Sequence, residues 1–98
     1  MNLGLKDRAV FISGASGGIG RAVASVLAEE GAQLVLHGNR QAEDLSRWLA
    51  QQSWRDQASI ARADVRDPDA MEEVMEVARA RHGRLHGCVV NAEIWPPE

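Results

Sequence analysis

Tyrosine is absent from these 98 residues, lysine occurs once as Lys6, and cysteine once as Cys88. No phenol in this sequence can serve as a proton donor or acceptor, and no residue can be assigned a catalytic role. A lone thiol excludes an internal disulfide and fits a reducing compartment. Cys88 sits inside a predicted strand, where it reads as a small buried hydrophobe rather than a nucleophile. The longest apolar runs fall far short of the ~20 residues that a membrane span needs, so no membrane partner is expected. Residues 1–8 lack the apolar stretch of a secretory signal, and the expected setting is cytoplasmic. Basic runs are missing and the net charge is −3, which argues against a nucleic-acid partner. His37, His82 and His86 show no metal-ligand spacing; they read as ordinary surface histidines, and no metal site is expected.

What remains is an ordinary composition, 45% hydrophobic and 26% charged, at a length that suits one small domain. Short apolar runs alternate with segments of helical period, the pattern of βαβ units under a parallel sheet. Ala9-Val10-Phe11-Ile12 is apolar on both faces, as a buried parallel strand is. Ile19, Val23, Val26 and Leu27 then mark one face of a helix, ended by Gly31. Leu34-Val35-Leu36 is the second strand, and residues 37–40 form a turn. A second helix is expected over 42–52, with Leu45, Trp48 and Leu49 inward and Trp54 packing at its exit; residues 53–57 read as a loop. Residues 59–63 form a weaker strand that suits a sheet edge. Asp67 followed by Pro68 opens a third helix, with Met71, Val74, Met75 and Ala78 buried and Gly83 at its end. Residues 87–90 are the fourth strand, which continues toward Trp95. The fold class is α/β, β-α-β-α-β-α-β with strand order 3-2-1-4, the N-terminal half of a Rossmann-type doubly wound parallel sheet.

The stretch Ser13-Gly14-Ala15-Ser16-Gly17-Gly18-Ile19-Gly20 lies between the first strand and the first helix. Gly14 permits a tight turn, Gly18 lets a diphosphate approach the backbone, and Gly20 lets the helix pack closely on the strand. The helix start supplies unpaired N–H groups and partial positive charge, which favour phosphate. Its G-x-x-x-G-x-G spacing is neither the G-x-G-x-x-G fingerprint nor a P-loop.

These residues resemble the short-chain dehydrogenase/reductase family. Its T-G-x-x-x-G-x-G is matched by Ser13 to Gly20, with Ser in place of Thr. Its adenine-contacting Asp after the third strand corresponds to Asp64, followed by Val65, and its N-N-A-G to Val90-Asn91-Ala92-Glu93. The resemblance implies an oxidoreductase that moves hydride between a nicotinamide and a carbonyl or alcohol carbon. It implies a cofactor site of Gly14, Ser16, Gly17, Gly18, Ile19, Gly20, Asn39, Arg40, Asp64, Val65, Asn91 and Ala92. Glu93 departs from the family, setting a carboxylate where a glycine lies near the nicotinamide-side ribose. The family's Ser and Tyr-x-x-x-Lys have no counterpart here, so residues 1–98 are expected to be the dinucleotide-binding half alone.

NAD-preferring members end the second strand on a carboxylate; here Gly38 holds that position, followed by Asn39 and Arg40. No carboxylate repels a 2′-phosphate, and a guanidinium stands ready to bind one, so NADP(H) is the expected cofactor and NAD(H) the alternative. A methyltransferase using S-adenosylmethionine is disfavoured by the glycine spacing and by Gly38. The competing reading is a non-catalytic half-domain that binds nucleotide or self-assembles. Its fourth strand would be an exposed edge, so either a longer polypeptide covers it or homo-oligomers form through residues 88–91.

Overall fold

The structure, a computed structural model, describes residue 4, residues 6–15 and residues 17–90. Strand β1 (Ala9–Ser13) leads through the glycine loop into helix α1 (Gly18–Glu29). Strand β2 (Gln33–Gly38) and helix α2 (Ala42–Ala50) follow. A short 3₁₀ turn (Arg55–Gln57) occupies part of the expected loop and precedes strand β3 (Ala58–Arg62). Helix α3 (Pro68–His82) and strand β4 (Gly87–Val90) complete the described chain.

The strands form one parallel sheet in the order β3-β2-β1-β4. Phe11 lies beside Val35 on one flank and Cys88 on the other, and His37 lies beside Ala61. Alternate strand residues serve opposite faces. Val10, Ile12, Leu34 and Leu36 meet Ala24 and Ala28 of α1 and Leu45 and Leu49 of α2. Phe11, Val35 and Ala61 meet Ala78 of α3, with Met71, Val74 and Met75 packed around them. One face therefore carries α1 and α2 and the other α3, which is the doubly wound arrangement. Phe11, Ile12, Leu34, Leu36 and Leu45 are fully enclosed, each contributing roughly 1.5–3 kcal/mol by leaving water. Weakly apolar β3 takes an edge, as its sequence leads one to expect.

The ends of the helices follow local chemistry. At the C-terminus of α1, Gly31 adopts φ +87°, open to glycine at little cost. Its N–H bonds the Ala28 carbonyl at 2.9 Å and the Ala32 N–H bonds Leu27 at 3.1 Å, a Schellman motif. The Gln57 side chain also donates to the Ala28 and Ala32 carbonyls, at 3.1 and 2.9 Å. At the start of α3 the Asp67 carboxylate accepts from the N–H groups of Asp69 and Ala70, with Pro68 at the first helical position. Trp48 and Trp54 meet edge to face at the exit of α2, and the Arg21 guanidinium lies 5.4 Å over Trp48.

Two expectations need correction. Ile19 and Val26 do not lie on the buried face of α1; they are 74% and 56% exposed. The buried line is Gly20, Ala24 and Ala28, with Val23 and Leu27 flanking it. Small residues win this face because the helix axis must run close to the sheet and to the turn that precedes it. In addition, α2 ends at Ala50, before the expected Gln52. The expected continuation of β4 through residues 91–95 lies outside the described residues. Among the described residues no helix is long and apolar enough to cross a membrane.

Candidate functional site

A parallel sheet brings the C-terminal ends of its strands to one edge, and the topology places the loops after β1, β2 and β3 there side by side. The loop after β1 turns sharply at Gly14, whose φ of +62° suits a residue without a side chain. Gly17 then stands extended at the head of α1, and its carbonyl accepts the Arg21 N–H at 3.0 Å. A β-carbon built on Gly17 or Gly18 would meet nothing within 4 Å, so open space lies beside both. A β-carbon on Gly20 would lie 2.7 Å from the Ala15 Cα and 2.8 Å from the Gly14 carbonyl oxygen. Gly14 makes the expected turn, whereas Gly20 presses on the loop at Gly14 and Ala15 rather than on the strand. Among the described residues, the head of α1 carries no side-chain cap and no acidic residue in its first turn. Its amides and partial positive charge face a space an anion can enter.

Beyond β2, Gly38 is buried and Arg40 exposed. Ordinary contact distances surround a β-carbon built on Gly38, the nearest being Leu45 at 3.5 Å. Beyond β3, the Asp64 carboxylate receives the Arg66 backbone N–H at 2.9 Å and the guanidinium at 3.1 and 2.9 Å. These bonds from Arg66 hold the Asp64 pKa down at about 2, and the charge of Arg40 acts in the same direction. Asp64 thus feels the charge of Arg40 across neighbouring strand ends. Val65 is half-buried beside Asp64.

Of the candidate residues, Gly14, Gly17, Gly18, Ile19 and Gly20 gather at the end of β1, Asn39 and Arg40 at the end of β2, and Asp64 and Val65 after β3. Ser16, Asn91 and Ala92 lie outside the described residues.

The histidines correct the sequence reading. His37 is not a surface residue: it is the penultimate residue of β2 and only 2% exposed. Its Nδ1 accepts the Gly14 N–H at 3.1 Å and its Nε2 bonds the Ala63 carbonyl at 2.7 Å. The alternation Val35, His37 carries its ring to the Phe11 face, where the two rings stack with centroids 5.8 Å apart. That alternation was the signal, hidden by a polar residue type. His82 is half-buried at the end of α3, where desolvation first and then the charge of Arg81 lower its pKa. His86 is exposed, yet its Nδ1 accepts the Ala9 N–H at 3.1 Å and so ties β4 to β1.

Comparison with known proteins bears on this geometry. A family model described as short chain dehydrogenase matches residues 8–97. An uncharacterized oxidoreductase of Staphylococcus saprophyticus is 38% identical over 92 residues, 94% of this chain and 37% of that protein. A dehydrogenase/reductase structure from Sinorhizobium meliloti superposes with a TM-score of 0.82 at 34% identity, covering 93% of this chain and 36% of that one. A variant of ElxO with NADPH bound superposes with a TM-score of 0.80 at 27% identity, covering 89% of this chain and 35% of that one. The chain therefore spans little more than a third of the relatives it matches. A match over almost the whole sequence, joined to a doubly wound sheet with an open glycine loop at its strand ends, settles the kinship: this chain belongs to the short chain dehydrogenase family.

Proposed function

We propose that this chain is the cofactor-binding part of a cytoplasmic NADP(H)-dependent oxidoreductase. The observation that carries the reading is the uncapped head of α1, where Gly17 and Gly18 face open space. A diphosphate fits there, on N–H groups that no side chain of the cap occupies. Gly14 shapes the turn, Gly20 fixes the approach of the helix, and exposed Ile19 offers an apolar contact to the ligand. Arg40, with Asn39, would hold the ribose 2′-phosphate, while Asp64 and Val65 would flank the adenine. Ser16, Asn91 and Ala92 complete the proposed set. The bound nicotinamide supplies the hydride chemistry toward a carbonyl or alcohol carbon; these residues bind and orient it. The NADPH held by a relative of the same fold supports a nicotinamide dinucleotide. The preference for NADP(H) rests on Gly38 and Arg40.

Replacing Gly18 with Val tests the phosphate site. A β-carbon at Gly18 opens onto free space rather than onto another part of the described fold, so the variant is expected to fold while the approach to the backbone closes. Calorimetric titration is expected to show NADPH binding lost; an unchanged isotherm would remove the loop from the site. Arg40→Ala is expected to weaken NADPH by roughly 10-fold or more and NADH little, as loss of a charge-assisted bond of about 1.5–3 kcal/mol requires. Equal loss for both would detach Arg40 from the 2′-phosphate.

A second reading rests on β4, which forms one edge of the sheet among the described residues. An apolar edge strand can pair with a second copy of the chain. The mass in solution decides between a monomer and this homo-oligomer.

A further inference from the structure

His37 engages three backbone groups from two different loops while lying almost completely out of water. Its carbonyl accepts the Ala15 N–H at 2.8 Å, and its ring Nδ1 accepts the Gly14 N–H at 3.1 Å. One residue therefore takes two consecutive amides of the glycine loop. The other ring nitrogen, Nε2, bonds the Ala63 carbonyl at 2.7 Å. Ala63 directly precedes Asp64, and its own N–H bonds the Gly38 carbonyl at 3.1 Å. A backbone N–H can only donate and a carbonyl can only accept, so Nδ1 is bare and Nε2 carries the proton. The ring is neutral and held in one tautomer.

We infer that the His37 ring is a positioning residue for dinucleotide binding, fixing the glycine loop and the Ala63–Asp64 corner relative to one another. This rests on the dinucleotide reading above. With Gly14 and Ala15 committed to His37, the amides left for the ligand among the described residues are those at the head of α1. The ring also spans from the diphosphate side of the site to the adenosine side. A diphosphate and an adenine in one ligand need those two sides at a fixed separation, and His37 is the side chain that bonds both. Phe11 stacks on the ring and Ala61 flanks it across β3, so its own orientation is set by packing.

The test uses His37→Asn and His37→Leu beside the wild-type chain. Asn retains an acceptor near the position of Nδ1 and can still take the Gly14 N–H. Leu retains packing against Phe11 and makes neither bond. The expected NADPH affinity falls in the order His, Asn, Leu, with Leu weaker than wild type by about 10-fold or more. Melting temperatures measured alongside are expected not to follow that order. Nitrogen-15 spectra of the ligand-free wild-type chain are expected to show a bare Nδ1 and a protonated Nε2. The opposite tautomer overturns the inference, and so does a Leu variant that binds NADPH as tightly as wild type. Affinities that simply follow melting temperature, with no rescue by Asn, also overturn it, because they reveal a purely structural role. A wild-type chain that binds neither NADPH nor NADH overturns the dinucleotide reading and this inference with it.

Discussion

Gly20 shows how a single hydrogen atom can decide a local structure. In most helices, replacing Gly with Ala gains about 1 kcal/mol through reduced backbone entropy in the unfolded chain. Here the added methyl would stand 2.7 Å from the Ala15 Cα and 2.8 Å from the Gly14 oxygen. Both are backbone atoms of the turn and cannot swing aside as a side chain would. Overpacking of this kind costs about 1–3 kcal/mol, and relief requires the turn to move. Gly20→Ala is therefore expected to lower the urea midpoint and to weaken NADPH binding together. A midpoint at or above wild type would show that the turn yields freely and that the contact is not a constraint. The same residue scale explains why Gly20 was legible in advance whereas His37 was not. The glycine spacing announces a close approach, since little else calls for that pattern between a strand and a helix. His37 follows Leu34-Val35-Leu36, and its polarity suggests that the strand has ended. Its burial depends on partners 23 and 26 residues away, the Gly14 N–H and the Ala63 carbonyl. Only the folded sheet supplies them.

At the scale of the element, α1 illustrates what periodicity can and cannot tell. Counting large apolar residues finds the helix and misplaces its face, because Ile19 and Val26 point outward while Gly20, Ala24 and Ala28 point in. The position of a helix over a parallel sheet is set by how closely its backbone must approach, and here that distance is short. Fully buried Ala24 should therefore be far more sensitive than Val26, whatever their hydrophobicity. Ala24→Leu is expected to destabilise the chain by about 1–3 kcal/mol. Val26→Ala, at an exposed site, should fall within about 0.5 kcal/mol of wild type. Equal costs in denaturant melts would return the buried face to Val26. The other elements are more legible because each carries its own local signal. β1 and β2 are continuous apolar runs, and α3 opens with an Asp-Pro pair whose carboxylate does cap two amides. The ends of α2 and β3 were off by one or two residues, where capping is weak and the sequence offers little punctuation.

At the scale of the whole molecule, His82 and Asp64, among the described residues, make stability fall with acid in separate pH windows. His82 has its pKa lowered, chiefly by burial and next by Arg81, and its Nε2 is enclosed without a hydrogen-bond partner among the described residues. The folded chain therefore disfavours the charged ring. Stability from this group is complete above the unfolded value of about 6.5 and declines as pH falls through it, because the unfolded state takes up the proton more readily. Asp64 acts lower on the scale. Its folded pKa of about 2 lies below its ordinary value of 3.8, so its contribution is present above that value and is lost as pH falls toward 2. A stability profile from pH 8 to pH 3 is thus expected to bend first below the ordinary histidine value of about 6.5 and again below pH 4. His82→Leu removes both the titration and the unpartnered nitrogen, so the first bend should vanish while the second remains. Arg66→Ala should do the reverse, letting Asp64 titrate nearer its ordinary value. A first bend that survives His82→Leu would assign acid sensitivity to another group and leave the C-terminal end of α3 electrostatically neutral in the folding balance.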